Sequence, residues 1–346
     1  SGAMGQEGRA LSIVSSYRLR LQRRRWLIRA LRKRRELSVV SNRTRQIRKS
    51  DVLLFCTARN ERIRLPYFLE YYRNQGINHF FFVDNASTDG TGDYLKDQPD
   101  CSVWQTRHGY KRARFGMDWI NWLLLRYAHN HWTLTVDPDE FFVYPFCDTR
   151  PIQALTDWLD ASSIKSFSAM LLDMYPKGRI DAQPYREGQN PLEIATWFDS
   201  GNYVIRKNPR YGNLWIQGGP RMRALFADKP ALAPALNKIP LVKWEHKNTY
   251  ASSTHMLLPR GLNLTYDEWG GEKASGLLLH TKFLDTFTQK AQEELVRAQH
   301  YNASVEYKAY ADLGGTDPDL WCNWSEKYIN WRQLEILGLM SKGNWA

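Results

Sequence analysis

The sequence has no uninterrupted apolar run long enough to cross a bilayer, which takes about 20 residues. Its longest candidate, Trp119 to Ala128, is short and contains Asn121 and Arg126, so no spanning helix is expected. Cysteine is scarce. Cys56, Cys101, Cys147 and Cys322 are far apart and form no C-x-x-C pair, which speaks for reduced thiols and against a disulfide framework or a zinc site. The first apolar run is not followed by G-x-G-x-x-G, which excludes a dinucleotide cradle built from backbone amides and with it the NAD-type oxidoreductases. There is no internal repeat. Ser1-Gly2-Ala3-Met4-Gly5 reads as the scar of a cleaved tag, and no charged-then-apolar signal pattern follows it.

Acidic residues are nearly absent from one segment. Tyr17 to Lys49 holds 14 Lys or Arg and the single acid Glu36, a net of +13, while the whole chain is +12. The remainder therefore sums to 12 − 13 = −1. The pI near 9.5 belongs to this segment, not to the body. Within and just ahead of it, Val14, Tyr17, Leu21, Ile28 and Leu31 recur at near-helical spacing, with Trp26 and Leu27 alongside. We expect residues 6–50 to form a basic amphipathic arm that lies on an anionic membrane surface. A basic helix packed on its own protein, a disordered arm and a nucleic-acid-binding segment are the alternatives, and no nucleic-acid partner is expected.

What is present reads as a folded α/β chain: 43% hydrophobic and 13% aromatic residues over 346 positions. Val52–Thr57 and His79–Val83 are apolar runs typical of strands buried on both faces. Between them Pro66 opens and Gly76 closes a helical stretch. Further strands are expected at Ser102–Thr106, Trp132–Val136, Ser166–Leu172, Leu241–Trp244 and Leu277–His280. Helices are expected at Ala113–Asn130, from Pro151, from Phe283 to about His300, and from Leu320 to about Leu337. Tyr175–Pro240, rich in Gly, Pro, Asn and Arg, reads as irregular structure over the sheet. Alternating strands and helices imply a mainly parallel sheet flanked by helices, whose ligands gather at the carboxyl ends of the strands. Asp84 follows the second strand and Asp137 the fourth.

Asp137-Pro138-Asp139-Glu140 is the central constellation. Two carboxylates one residue apart suit a divalent Mn or Mg ion that neutralises a diphosphate, and Pro138 stiffens the turn. Thr57-Ala58-Arg59-Asn60-Glu61 after the first strand, Asp84-Asn85-Ala86-Ser87-Thr88-Asp89-Gly90 after the second, the entry Arg107–Arg114, and DPDEF after the fourth occur in this order over residues 51–145. Together they resemble the family 2-like glycosyltransferases of the GT-A fold. That resemblance implies a metal-dependent, inverting transfer from a UDP-sugar to a glycan or lipid-linked saccharide. It implies that Thr57, Ala58, Arg59 and Glu61 border base and ribose, that Asp84 with Asn85 reads the base, that Arg114 faces the nucleotide, and that Asp137, Pro138 and Asp139 serve sugar, ribose and metal. By the same resemblance His280 completes the metal shell and Lys282 grips the diphosphate.

The later half lacks the family's usual Glu-Asp pair. Candidate bases are Glu245, Asp267, Glu268 and Glu272, with Glu272 preferred, and His255 is an alternative base or acceptor contact. Arg221 and Arg223 suit a phosphate, an acidic acceptor or structural ion pairs alike. The expected organisation is a GT-A catalytic domain over 51–300, with 51–145 for the nucleotide and 146–282 for the acceptor, followed by C-terminal helices over 283–346. The expected location is cytoplasmic, peripheral on the membrane's inner face. A nucleotidyl- or phosphotransferase and a binding protein with a degenerate transferase fold are the rival readings.

Overall fold

The computed structural model describes residues 11–265, 273–298, 308–309 and 318–346. The chain opens with α1 (Ile13–Lys33) and β1 (Ser38–Ser41), then alternates β2 (Leu53–Ala58), α2 (Leu65–Gln75), β3 (His79–Asp84), α3 (Thr91–Lys96), β4 (Cys101–Gln105), α4 (Met117–Tyr127) and β5 (Trp132–Thr135). β6 (Glu140–Val143), α5 (Ile152–Ala161), β7 (Ser166–Phe167) and β8 (Ala169–Tyr175) follow.

The main sheet has the order β1-β4-β3-β2-β5, continued by β12 (Leu241–Lys243) and β7. Its centre, β4-β3-β2-β5, is parallel, and both margins are antiparallel. The expected mainly parallel sheet flanked by helices is what the chain builds. The runs LLFC and HFFFV are apolar throughout because both faces are covered. Leu54, Cys56, Phe80 and Phe82 pack with Phe68, Leu69 and Tyr72 of α2 and with α5. Leu53, Phe55, Phe81 and Val83 meet Trp119, Leu123 and Leu124 of α4. Each fully buried ring here contributes about 3–5 kcal/mol against its replacement by Ala. Gly76 ends α2 at φ 102°, a left-handed cap that favours glycine.

A second sheet has the order β16 (Ser325–Lys327), β9 (Trp197–Asp199), β8, β15 (Gly276–His280), β6. Ser166–Leu172, expected as one strand, is thus divided: β7 belongs to the main sheet and β8 to the second. The stretch expected to be irregular carries β9, the hairpin β10 (Tyr203–Lys207) with β11 (Leu214–Gly218), and α6 (Gly219–Leu225). A further hairpin joins β13 (Thr249–Ser252) to β14 (Met256–Leu258). After α7 (Thr286–Ala298), the expected helix from Leu320 is replaced by β16 and the short α8 (Trp331–Ile336). The reason is long-range: Ser325–Lys327 pairs with β9, and Asn330 caps α8 by accepting from the amides of Arg332 and Gln333.

The segment ahead of residue 51 is part of this body. β1 pairs antiparallel with β4, and α1 lies against α4, where Arg29 donates to the buried Asp118 at 2.7 Å. Trp26, expected beside the outward apolar residues, instead turns inward and stacks on the Arg114 guanidinium at 3.7 Å. No helix among the described residues is long and apolar enough to cross a membrane.

Candidate active site

Parallel strands β3, β2 and β5 bring their carboxyl ends to one edge, so Asp84 and the Asp137–Glu140 turn emerge side by side, about 10 Å apart by strand spacing. The loops after β2 and β3 lock onto each other. Asn60 donates its amide to the Ser87 hydroxyl (2.9 Å), Glu61 to the Thr91 hydroxyl (3.0 Å) and Arg62 to Asp89 (3.0 Å). Thr88 donates back to Asn60 (2.8 Å), and Arg59 to the Asn85 carbonyl (2.9 Å). Asp84 accepts through Oδ1 from the Ser87 amide and hydroxyl. Its Oδ2 lies 2.7 Å from where a Cβ on Gly92 would stand, so a side chain there would push the carboxylate aside. Asn85 donates to the carbonyls of Thr106 and His108. These residue types therefore shape the edge as well as face it.

The opposite half of the edge is built of charges. Across the second sheet His280 stands in register with Asp173 on one side and Glu140 on the other, so the three share a face. His280 is held through Nδ1 by Asp173 at 2.7 Å and presents Nε2 to Asp139 at 3.4 Å. Arg221 donates to Asp173 at 2.7 Å. Burial works against a charged imidazole, but Asp139 and Asp173 raise the His280 pKa to about 9. Asp173, opposed by burial, is drawn down to about 2 by Arg221 and His280. Against its own burial, His280, Arg64 and Lys282 hold Asp139 well below the usual carboxylate range.

Supporting groups surround this row. Thr281 donates its amide (2.8 Å) and hydroxyl (3.1 Å) to the Asp139 carbonyl. Buried Arg64 donates to the Thr281 hydroxyl (2.9 Å) and carbonyl (2.8 Å). Lys238, also buried, reaches Glu140 at 3.0 Å and Asp137 at 3.8 Å. Glu140 in turn accepts from the Asp137 amide at 3.0 Å. The Thr57 and Thr254 hydroxyls make no hydrogen bond among the described residues. They line a cavity of about 20 Å³ with Tyr110, Phe115, Asp137 and Glu140, room for a water and not for a nucleotide. The covering segment contains Arg114, Phe115 and Gly116 at φ 54°, 55° and 78°, a run that side-chain-bearing residues rarely adopt.

Several expected site residues fall elsewhere or serve other partners. Arg114 does not face the edge: it pairs with Asp118 (3.4 Å), donates to the carbonyls of Tyr250 and Ala251, and stacks on Trp26. Glu245 lies at the far edge of the sheet, because β12 runs antiparallel to β5; there it pairs with Lys165 (2.6 Å) and Lys247 (2.9 Å). It is not near the acidic row. Glu61 is engaged by Arg64 (3.6 Å) and Lys290. His255 donates from Nδ1 to the Asn237 carbonyl (2.5 Å), and burial beside Lys238 depresses its pKa to about 3. Lys282 lies with its ammonium 5.6 Å from the Phe287 ring. Glu272, Asp267 and Glu268 lie outside the described residues. Arg223 holds Asp199 at 2.8 Å.

The sequence reading missed Asp173 and Lys238. A lone acid in the apolar strand AMLLDMY was the available signal for Asp173: buried charges are paired. Lys238 gave none.

The donor set suits a divalent cation in part. Asp139 Oδ2 and His280 Nε2 are 3.4 Å apart, near the roughly 3 Å that separates adjacent ligands with bonds of about 2.1 Å. Asp173 fixes the other ring nitrogen, as carboxylates do behind metal-bound imidazoles. Among the described residues no group of three His, Cys, Asp or Glu side chains is arranged to hold a metal.

No family model matches the chain, and no curated protein matches it. Several solved structures show some similarity, three of which follow. A 4-diphosphocytidyl-2C-methyl-D-erythritol synthase is 15% identical over 40% of this chain and 67% of its own, with a TM-score of 0.25. A putative glucose-1-phosphate thymidylyltransferase from Bacillus anthracis, in complex with a sucrose, is 8% identical over 84% and 95%, TM-score 0.28. A UTP-bound UGPase from Acinetobacter baumannii is 10% identical over 78% and 84%, TM-score 0.28.

Proposed function

We propose that this chain is a GT-A-type glycosyltransferase that moves a sugar from a nucleotide diphosphate, a UDP-sugar, to a hydroxyl of a glycan or lipid-linked saccharide, with inversion. The observation that carries the reading is the buried row Arg221–Asp173–His280–Asp139 at the same sheet edge as Asp84. A structural ion pair needs no imidazole wedged between two carboxylates and aimed at the carboxyl ends of parallel strands.

In this reading Asp139 and His280 would hold a Mn or Mg ion. When bound, the ion neutralises the charge that grows on the departing diphosphate. Asp173, fixed by Arg221, keeps the His280 ring turned toward Asp139 and favours the tautomer that leaves Nε2 bare. Lys282 adds a point charge for the diphosphate. Asp137, half-exposed beside Lys238, addresses ribose or sugar hydroxyls. Asp84 and the Thr57 hydroxyl receive the nucleoside, once the Tyr110–Gly116 segment gives way to admit it. His255 is a weak base with its pKa near 3, so a carboxylate is the better proton acceptor. Glu272, eight residues before His280 in the chain, is that candidate.

A panel of nucleotide sugars incubated with manganese tests the proposal. Release of UDP with transfer or hydrolysis of the sugar is expected. Release of a sugar 1-phosphate, with UMP as the other product, would assign nucleotidyl transfer instead, and no binding of any nucleotide sugar would remove the reading.

A further inference from the structure

α1 has two apolar faces, and the fold uses only one. Leu19 and Ala30 are buried, Trp26 lies on Arg114, and Arg29 binds Asp118; all of these point inward. About half a turn away, on the 100° per residue wheel of a helix, stand Val14, Tyr17, Leu21, Ile28 and Leu31, exposed by 59%, 59%, 45%, 50% and 42%. Packing on the body does not require them. A helix whose outer face met only water would carry polar residues at these positions.

The charge around this stripe is of one sign. α1 has eight Lys or Arg and no acid. Arg18, Arg20, Arg24 and Arg32 are exposed and make no ion pair among the described residues. Arg20 and Arg23 also line a cavity of about 420 Å³ with Arg260, floored by Leu19, Leu258 and Pro259. Apolar side chains flanked by guanidinium groups match a surface with negative headgroups above hydrocarbon. They do not match a second copy of the same helix, whose arginines would meet their own kind. Nucleic acid would use the charges but leave the stripe in water.

We propose that the outward face of α1 is a docking surface for an anionic phospholipid bilayer, with α1 lying in the plane of the surface and carrying the folded body with it. This is independent of the chemistry at the sheet edge.

Sedimentation with vesicles tests it, comparing phosphatidylcholine alone with phosphatidylcholine containing a third of phosphatidylglycerol. The protein should bind the anionic vesicles and not the neutral ones, and binding should fall as salt rises. The double variant Leu21→Gln, Ile28→Gln replaces exposed side chains and should keep the thermal midpoint, yet lose about ten-fold or more in vesicle affinity. Equal binding by the variant, or equal binding to neutral vesicles, overturns the proposal. So does a wild-type dimer in light scattering that the variant converts to monomer, or a tighter, stripe-independent affinity for an oligonucleotide. Because Leu21 and Ile28 are exposed on α1 and have no part in the proposed site, donor hydrolysis by the variant reports separately on the enzymatic reading.

Discussion

Two buried imidazoles, His79 and His280, are 1% and 7% exposed, and the fold treats them in opposite ways. His79 starts β3 at the amino edge of the main sheet, with the Ser102 hydroxyl 2.8 Å from Nε2. Burial dominates there and depresses its pKa to about 4. His280 ends β15 between two carboxylates, which overcome the same burial and raise it to about 9. Burial alone makes a neutral packing group. Burial with Asp139 and Asp173 makes a cation, which the proposed metal would replace. The contrast separates the amino edge of the main sheet from the edge where the proposed site lies, and it can be broken at either end.

The largest effect is expected from Asp139→Ala, which removes the carboxylate facing His280. If the row serves donor chemistry, turnover should fall about 10³-fold or more while the thermal midpoint moves little; an active variant would sink the cation role. Asp173→Asn comes next, since it leaves Asp139 in place and loosens the ring. Manganese affinity should weaken about 10–100-fold, and in metal-free protein the His280 pKa should drop from about 9 toward an ordinary histidine. Titration by NMR follows the second effect; an unmoved pKa would show that Asp173 does not govern the ring.

At the other end of the comparison the sign reverses. His79 has a folded pKa of about 4 against about 6.5 unfolded, so below pH 6.5 the unfolded chain takes up a proton that the folded one refuses. Stability is therefore intact above about pH 6.5 and declines as pH falls toward 4, by about 3 kcal/mol in all. Urea denaturation across that range measures it, and His79→Gln should flatten the slope. A variant with the wild-type slope would place the acid sensitivity in another group.

The same contrast explains what could be read from the chain itself. β2, β3 and α2 were legible because LLFC, HFFFV and the Pro66–Gly76 bracket are local signals. Two carboxylates at strand ends pointed to the edge. The role of Asp173 was hidden because its partners Arg221 and His280 lie 48 and 107 residues away. α1 looked like a free arm because the acid that receives Arg29 is Asp118, 89 residues on. The helix expected from Leu320 failed likewise, since the pairing of Ser325–Lys327 with β9 cannot be seen in local periodicity.

Glu245 gives the smallest expected effect and the sharpest control. It follows a strand, as Asp84 and Asp137 do, but β12 runs antiparallel to its neighbour β5, so its end points to the edge where His79 sits, not to the edge of His280. Lys165 and Lys247 satisfy it there and lower its pKa to about 2, in a pair open to solvent on the lysine side. Such pairs contribute up to about 1 kcal/mol. Glu245→Gln should leave donor turnover within error of wild type and shift the thermal midpoint by no more than a few degrees. Loss of turnover with an intact fold would mean that strand direction has been misread as a guide to chemistry, and the acceptor would then have to approach from the lysine-lined side.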